Sequence, residues 1–232
     1  PVMHNYDYNR DIKPERTWVL ESELGYRATS AILFQSNVFW MQMNDAIVYT
    51  WDEQSGSNIY LNSPSLGSWG VELTGRYKFG GVSAQLNYSF ARNHGEIVAN
   101  YVDPFNDDRK LAIPEHKITG AATYTFADQL HVTPSVRYIG ARSAIYLNTG
   151  DYADPEDEDS WYDEFHYKEL DSVVLLDLVL VWNPVFHKNL EITVAGYNLT
   201  DDMNEMGQPY DGYDVPLPGA SREVSGKVSY SF

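Results

Sequence analysis

From Glu223 to the final Phe232 the chain alternates without a break. Val224, Gly226, Val228, Tyr230 and Phe232 lie on one parity; Glu223, Ser225, Lys227, Ser229 and Ser231 lie on the other. Successive side chains of a strand point to opposite faces, so this segment carries one apolar and one polar face. Eight further segments upstream repeat the pattern. Trp18, Leu20, Leu24 and Tyr26 alternate with Val19, Glu21, Glu23, Gly25 and Arg27, and a longer, less regular run covers residues 31–50. Trp69, Val71, Leu73, Gly75, Tyr77 and Phe79 oppose Gly70, Glu72, Thr74, Arg76 and Lys78. Val82, Ala84, Leu86, Tyr88 and Phe90 oppose Ser83, Gln85, Asn87 and Ser89. Runs at 117–126, 130–138 and 190–194 alternate likewise, while Val173–Trp182 is apolar on both parities except at Asp177, which sets Val174, Leu176, Leu178, Leu180 and Trp182 outward.

Alternation over about ten residues is the length a tilted strand needs to cross a bilayer. The connections sort into two kinds. Short ones fall at 28–31, 80–81, 127–129 and 183–189; long ones fall at 51–66, 92–115, 143–170 and 201–219. Short turns on one rim and long loops on the other mark an outer-membrane barrel, periplasmic and extracellular respectively. The aromatics agree. Tyr26, Phe34, Tyr77, Phe79, Tyr124, Phe126, Trp182, Tyr230 and Phe232 gather at the short-turn rim, and Trp18, Trp40, Trp69, Tyr88, Phe90 and Tyr138 at the other. Two such belts suit rings at the headgroup level. The fold expected is therefore all-β: a transmembrane antiparallel up-and-down β-barrel.

Composition changes this picture little. Hydrophobic residues make up 43% of the 232 positions, which resembles a soluble protein, but half of each barrel strand faces a wet lumen. No apolar run of about 18 residues offers a spanning helix. With no Cys, disulfides and thiolate chemistry are excluded. A net charge of -17 argues against nucleic acid as a partner. Nine strands is an odd count with two open edges, and an unpaired edge in lipid costs several kcal/mol per group. The expectation is a part of a larger barrel, with upstream sequence before Pro1, since no signal peptide is visible there.

The punctuation between strands carries a family resemblance. Lys13-Pro14-Glu15 followed by Glu23-Leu24-Gly25 resembles a strand entry of TonB-dependent outer-membrane receptors. Asn58 with Gly70-Val71-Glu72, Ile113-Pro114-Glu115-His116, Asn198-Leu199-Thr200-Asp201, and Pro218-Gly219-Ala220-Ser221-Arg222 resemble further family segments in the same order. Thr200 departs from the family's usual aromatic, and Ala220 from a common Arg. The resemblance implies that residues 1–232 are the C-terminal part of the barrel domain, its last nine strands of 22. The plug domain and its TonB-contacting segment have no counterpart here. It further implies a receptor of the Gram-negative outer membrane for active uptake of a scarce nutrient such as a ferric siderophore, cobalamin or haem. Its partners would be that small-molecule ligand, outer-membrane lipid and a TonB-type energy-coupling protein. No cofactor is implied. A passive porin-like channel is the alternative.

No enzymatic motif appears: the six His residues lack metal spacing, and no Ser sits in a G-x-S-x-G elbow. The acidic run Asp151–Glu164 could offer oxygens to a hard cation, yet it lacks the glycine and ligand spacing of an EF-hand and reads as a solvated extracellular loop. Ligand contacts are expected from exposed loop aromatics: Tyr101, Phe105, Trp161, Tyr162, Tyr210 and Tyr213. The polar parity, with Glu72, Arg76, Lys117, Arg137 and Asp177, reads as a hydrated wall that also meets a plug.

Overall fold

The computed structural model describes residues 12–52, 56–95, 102–103, 106–147, 165–184, 186, 189–207 and 217–232. Within these, the alternating segments pair into one antiparallel sheet of nine strands, in the order β1-β2-β3-β4-β7-β8-β11-β12-β13. They are β1 (Arg16–Arg27), β2 (Ile32–Asp52), β3 (Ser57–Phe79), β4 (Val82–Gly95), β7 (His116–Phe126), β8 (Leu130–Ile139), β11 (Val173–Trp182), β12 (Leu190–Tyr197) and β13 (Glu223–Tyr230). Two short ladders lie in the long connections: β5 (Val102–Asp103) with β6 (Asn106–Lys110), and β9 (Arg142–Leu147) with β10 (Phe165–Leu170). Each strand of the main sheet lies beside its predecessor, so the meander is up-and-down.

The register preserves the alternation across every pair. Phe34 faces Gly75, Gly75 faces Leu86, Leu86 faces Gly120 and Gly120 faces Val136, which in turn faces Leu176. That row is apolar throughout. The next row, Thr74, Asn87, Thr119 and Arg137, is polar throughout. A slip of one residue would exchange the two faces, so the hydrophobic pattern pins the register. On the apolar face Leu20 and Val228 are each 70% exposed, and many of their neighbours are exposed as well. Contiguous apolar exposure on this scale is untenable in water and natural against hydrocarbon.

Both aromatic belts are present. Trp40 faces Trp69, and Trp69 meets Phe90 edge-on with centroids 5.4 Å apart. At the other rim Tyr26 faces Phe34, Tyr124 packs against Phe126 at 4.1 Å, and Tyr230 against Phe232 at 5.1 Å. The stretch from Trp69 to Phe79 joins the belts; at ~3.3 Å per residue and ~40° tilt it rises ~25 Å, the height of an outer-membrane apolar band.

Two of the short turns use left-handed residues. Gly80 has φ +56° between β3 and β4, and Ala127 (φ 45°) and Asp128 (φ 56°) close β7 onto β8, with Gln129 N–H donating to Phe126 O at 2.9 Å. One long connection is not a loop. The segment 51–66, rich in Ser, Asn, Gly and Pro, continues the β2–β3 ladder out to Asp52 opposite Ser57. The ladder skips one pair, Asp45 opposite Pro64, where Pro supplies no N–H and Asp45 adopts φ 56°. Beyond that point Ala46, Val48 and Ser63 are buried, and Tyr49 and Tyr60 pair across the strands at 5.0 Å. Packing on one side of the hairpin and a cross-strand aromatic pair on the other thus override loop-like composition.

Candidate ligand-binding site

The polar face is a connected wall. Arg76 Nε donates to Gln85 Oε1 at 3.2 Å, Gln85 Nε2 to Asn87 Oδ1 at 2.9 Å, and Asn87 Nδ2 to Thr119 Oγ1 at 3.1 Å. Further along, Arg137 Nη2 and Ser135 Oγ both donate to Asp177 Oδ2, at 3.5 and 3.4 Å. Side chains that satisfy one another across strands, while remaining wettable, suit a water-facing lumen wall.

At the long-loop end this wall is roofed. The inner row Glu72, Ser89, Lys117 and Ile139 forms the floor of a cavity of about 550 Å³. Phe39 closes one side, lying across Gly70: a Cβ there would meet Phe90 O and come within 2.6 Å of Phe39 Cζ. Glycine is required by that close approach. The roof comes from residues 112–115 before β7, from Arg142 at the start of β9, and from Asn204, Met206 and Gly207 after β12.

Three connections are pinned together above the cavity. Ala112 N–H donates to Ser143 O at 2.7 Å. Arg142 Nη2 donates to Asn204 Oδ1 at 2.8 Å and to the Glu205 carbonyl. Lys168 Nζ lies 2.8 Å from both carboxylate oxygens of Glu205. Glu115 receives Arg92 Nε at 2.7 Å and has Arg109 Nε at 3.7 Å. Leu111, Ala144, Leu170 and Val173 are buried beside these contacts and give the loop bases an apolar core of their own. Arg142 is only 4% exposed, and burial pulls its guanidinium below the ordinary arginine value, with Glu205 opposing that shift.

The sequence motifs act as clamps at strand ends. Asn198, 4% exposed and at φ 47°, turns the chain out of β12. Its Nδ2 donates to Asp202 O (3.0 Å) and Ala220 O (2.9 Å), and its Oδ1 accepts from Thr200 Oγ1 (3.0 Å) and Asp202 N–H (3.2 Å). Asp201 then binds Arg222 through its backbone N–H at 3.1 Å and its guanidinium at 3.4 Å. At the first strand, Glu15 Oε1 accepts the Ile47 N–H at 2.8 Å, and Lys13 N–H donates to Asn62 Oδ1 at 2.7 Å.

Tyr101, Phe105, Trp161, Tyr162, Tyr210 and Tyr213, the loop aromatics expected to meet a ligand, all lie outside the described residues, as does the acidic run Asp151–Glu164. The cavity-lining Arg142, Asn204 and Met206 were not nominated by sequence. A basic residue buried near the foot of a long loop leaves no signature in a single chain.

A two-faced meander with aromatic belts and a polar, roofed inner wall defines a portion of a transmembrane β-barrel. A family model described as "TonB dependent receptor-like, beta-barrel" matches residues 2–199, and the chain belongs to that family. Its place, as a barrel of that family, is the Gram-negative outer membrane. No curated protein sequence matches it. Among solved structures, the FrpB iron transporter of Neisseria meningitidis (F3-3 variant) superposes with a TM-score of 0.67 at 19% identity over 97% of this chain and 32% of that one. The outer-membrane transporter YddB of Escherichia coli gives 0.66 at 19% identity, covering 97% and 34%. The pyoverdine receptor FpvA of Pseudomonas aeruginosa PAO1, solved with pyoverdine bound, gives 0.69 at 13% identity, covering 97% and 31%. The chain therefore spans about a third of the length of these structures.

Proposed function

We propose that this chain is the C-terminal, nine-stranded part of the barrel of a TonB-dependent receptor, and that the receptor actively imports a scarce small-molecule nutrient. A ferric siderophore is the leading class, with cobalamin and haem next. The observation that carries the reading is the roofed cavity. Its floor is lumen wall, its roof is built from three long connections, and it sits at the rim where ligand would arrive. Iron and siderophore receptors among the structural neighbours lend support. The polar wall below would face a plug domain that links to the energy-coupling protein, and the apolar face would meet outer-membrane lipid.

Growth of an iron-starved strain on candidate ferric siderophores, with and without the receptor, tests this reading. Uptake should require both the receptor and the proton gradient. Uptake that persists after the gradient is collapsed would instead indicate a passive channel.

A further inference from the structure

The outward face of the sheet is not uniform. On β4 and β7 the small side chains of Ala84 and Ala122, with Gly120, sink the surface between two ridges, Phe34 with Tyr77 on one side and Val136 with Leu176 on the other. The hollow between them measures about 600 Å³. Pro134 shapes its floor: the β7–β8 ladder lapses between the pairs Ala121–Ser135 and Tyr124–Val132, where proline has no N–H to donate. Leu86 leans over Gly120 at one end, so that a Cβ there would lie 3.1 Å from Leu86 Cδ1 and 3.4 Å from Val136 Cγ1. Arg76 and Gln85 also border the hollow, but their side chains bond each other on the lumen wall, and no charged group of the lining faces the space. Gly75 and Tyr77 stand nearer to Phe79 of the short-turn belt than to Trp69 of the other. The hollow therefore lies in the periplasmic half of the membrane.

We propose that this hollow holds one acyl chain of a periplasmic-leaflet phospholipid, selected by its chain and not by its headgroup. The hollow is continuous with the lipid-facing wall, so hydrocarbon reaches it without crossing protein. Within a bilayer there is no hydrophobic drive toward an apolar surface, and association depends on the close packing that small residues permit. A void would forfeit dispersion contacts on every wall, and a chain lying along β4 and β7 recovers them. A stable protein partner needs about 1,200 Å² of total buried surface, more than a hollow confined to two residue rows supplies. The chain would enter from the Tyr124 end, at the short-turn belt, and stop beneath Leu86. Such a site depends on the lipid-facing wall alone, and not on what the receptor imports.

The test is photolabelling of the full receptor in lipid vesicles, with a phosphatidylethanolamine and separately a phosphatidylglycerol carrying a diazirine midway along one acyl chain. Labelled positions are then located by mass spectrometry. Ala84, Gly120, Ala122 and Pro134 should take several-fold more label than Leu73 and Val194, which face lipid outside the hollow. The two lipids should label alike. Ala122→Phe fills the hollow and should bring its labelling down to the level of Leu73, with Leu73 and Val194 themselves unchanged. Ala84→Leu fills it from the neighbouring strand and should do the same, which keeps the test decisive if the first variant does not insert. Even labelling of all outward positions would overturn the proposal. So would labelling that follows the headgroup, labelling of the hollow that survives the filling substitutions, or a co-purified protein cross-linked there in place of lipid. None of these readouts involves uptake. A failed transport assay would leave the lipid site standing, and even labelling would leave the transport reading standing.

Discussion

The backbone N–H of Asn198 donates to Asp177 Oδ1 at 2.8 Å, joining the end of β12 to the one acidic side chain of β11. Through its other oxygen Asp177 holds Arg137 and Ser135 of β8. One carboxylate in the lumen wall thus ties two strands to the turn from which the last long connection departs. That turn needs a residue tolerant of φ 47° and able both to donate and to accept, and asparagine meets both demands.

Asn198→Ala removes four side-chain hydrogen bonds from a buried site and adds strain at a left-handed position. A loss of about 3 kcal/mol is expected, given ~0.5–1.5 kcal/mol for each bond and partial rescue of the freed groups by water. Thermal unfolding of the membrane-embedded protein should show it. Asn198→Gly relieves the backbone strain without restoring the bonds, and should fall between Asn198→Ala and the natural residue.

Leu86 and Gln85 are adjacent in β4 but face opposite sides. Leu86→Arg places a charge against hydrocarbon near mid-membrane and should destabilise by about 2–4 kcal/mol, whereas Gln85→Arg on the wet wall should cost far less. Urea titrations of folding into lipid vesicles would compare the two.

Gly70→Ala should destabilise although its φ is ordinary, because the new methyl meets Phe90 O and the Phe39 ring. Overpacking of this kind costs about 1–3 kcal/mol. Phe39→Leu in the same chain should recover part of the loss, a double-mutant outcome that heat denaturation can read.

The β2–β3 ladder beyond Asn44 should protect its amides as a strand does. Hydrogen exchange across Ala46–Val48 and Leu61–Ser63 is expected to be slow, and Tyr60→Ala should speed it by removing a ring pair that contributes about 0.5–1.5 kcal/mol. Exchange at loop-like rates in the natural protein would contradict the hairpin.

Much of this fold was legible from parity alone. A period of two is local information, and every core of the nine runs became a strand of the sheet. The Lys13-Pro14-Glu15, Glu115 and Asn198–Asp201 segments were legible as family punctuation, and their bonds explain the residue types as clamps at strand ends. The upper β2–β3 hairpin was not legible, because Asn62, Ser63 and Pro64 look like a turn until a partner strand is known. The cavity was hidden for the same reason. Arg142 sits 25 residues after Lys117 and 62 before Asn204, and nothing in one chain says that they meet.

The account depends most on which side chains touch lipid. The chain has no Cys, so single cysteines can be placed along Val82–Phe90 of β4 and spin-labelled in a membrane-embedded receptor. Collision with oxygen should be high at Ala84, Leu86 and Tyr88, and collision with a water-soluble nickel chelate high at Ser83, Gln85 and Asn87, alternating residue by residue. Equal access of the aqueous reagent to both parities would contradict a transmembrane strand.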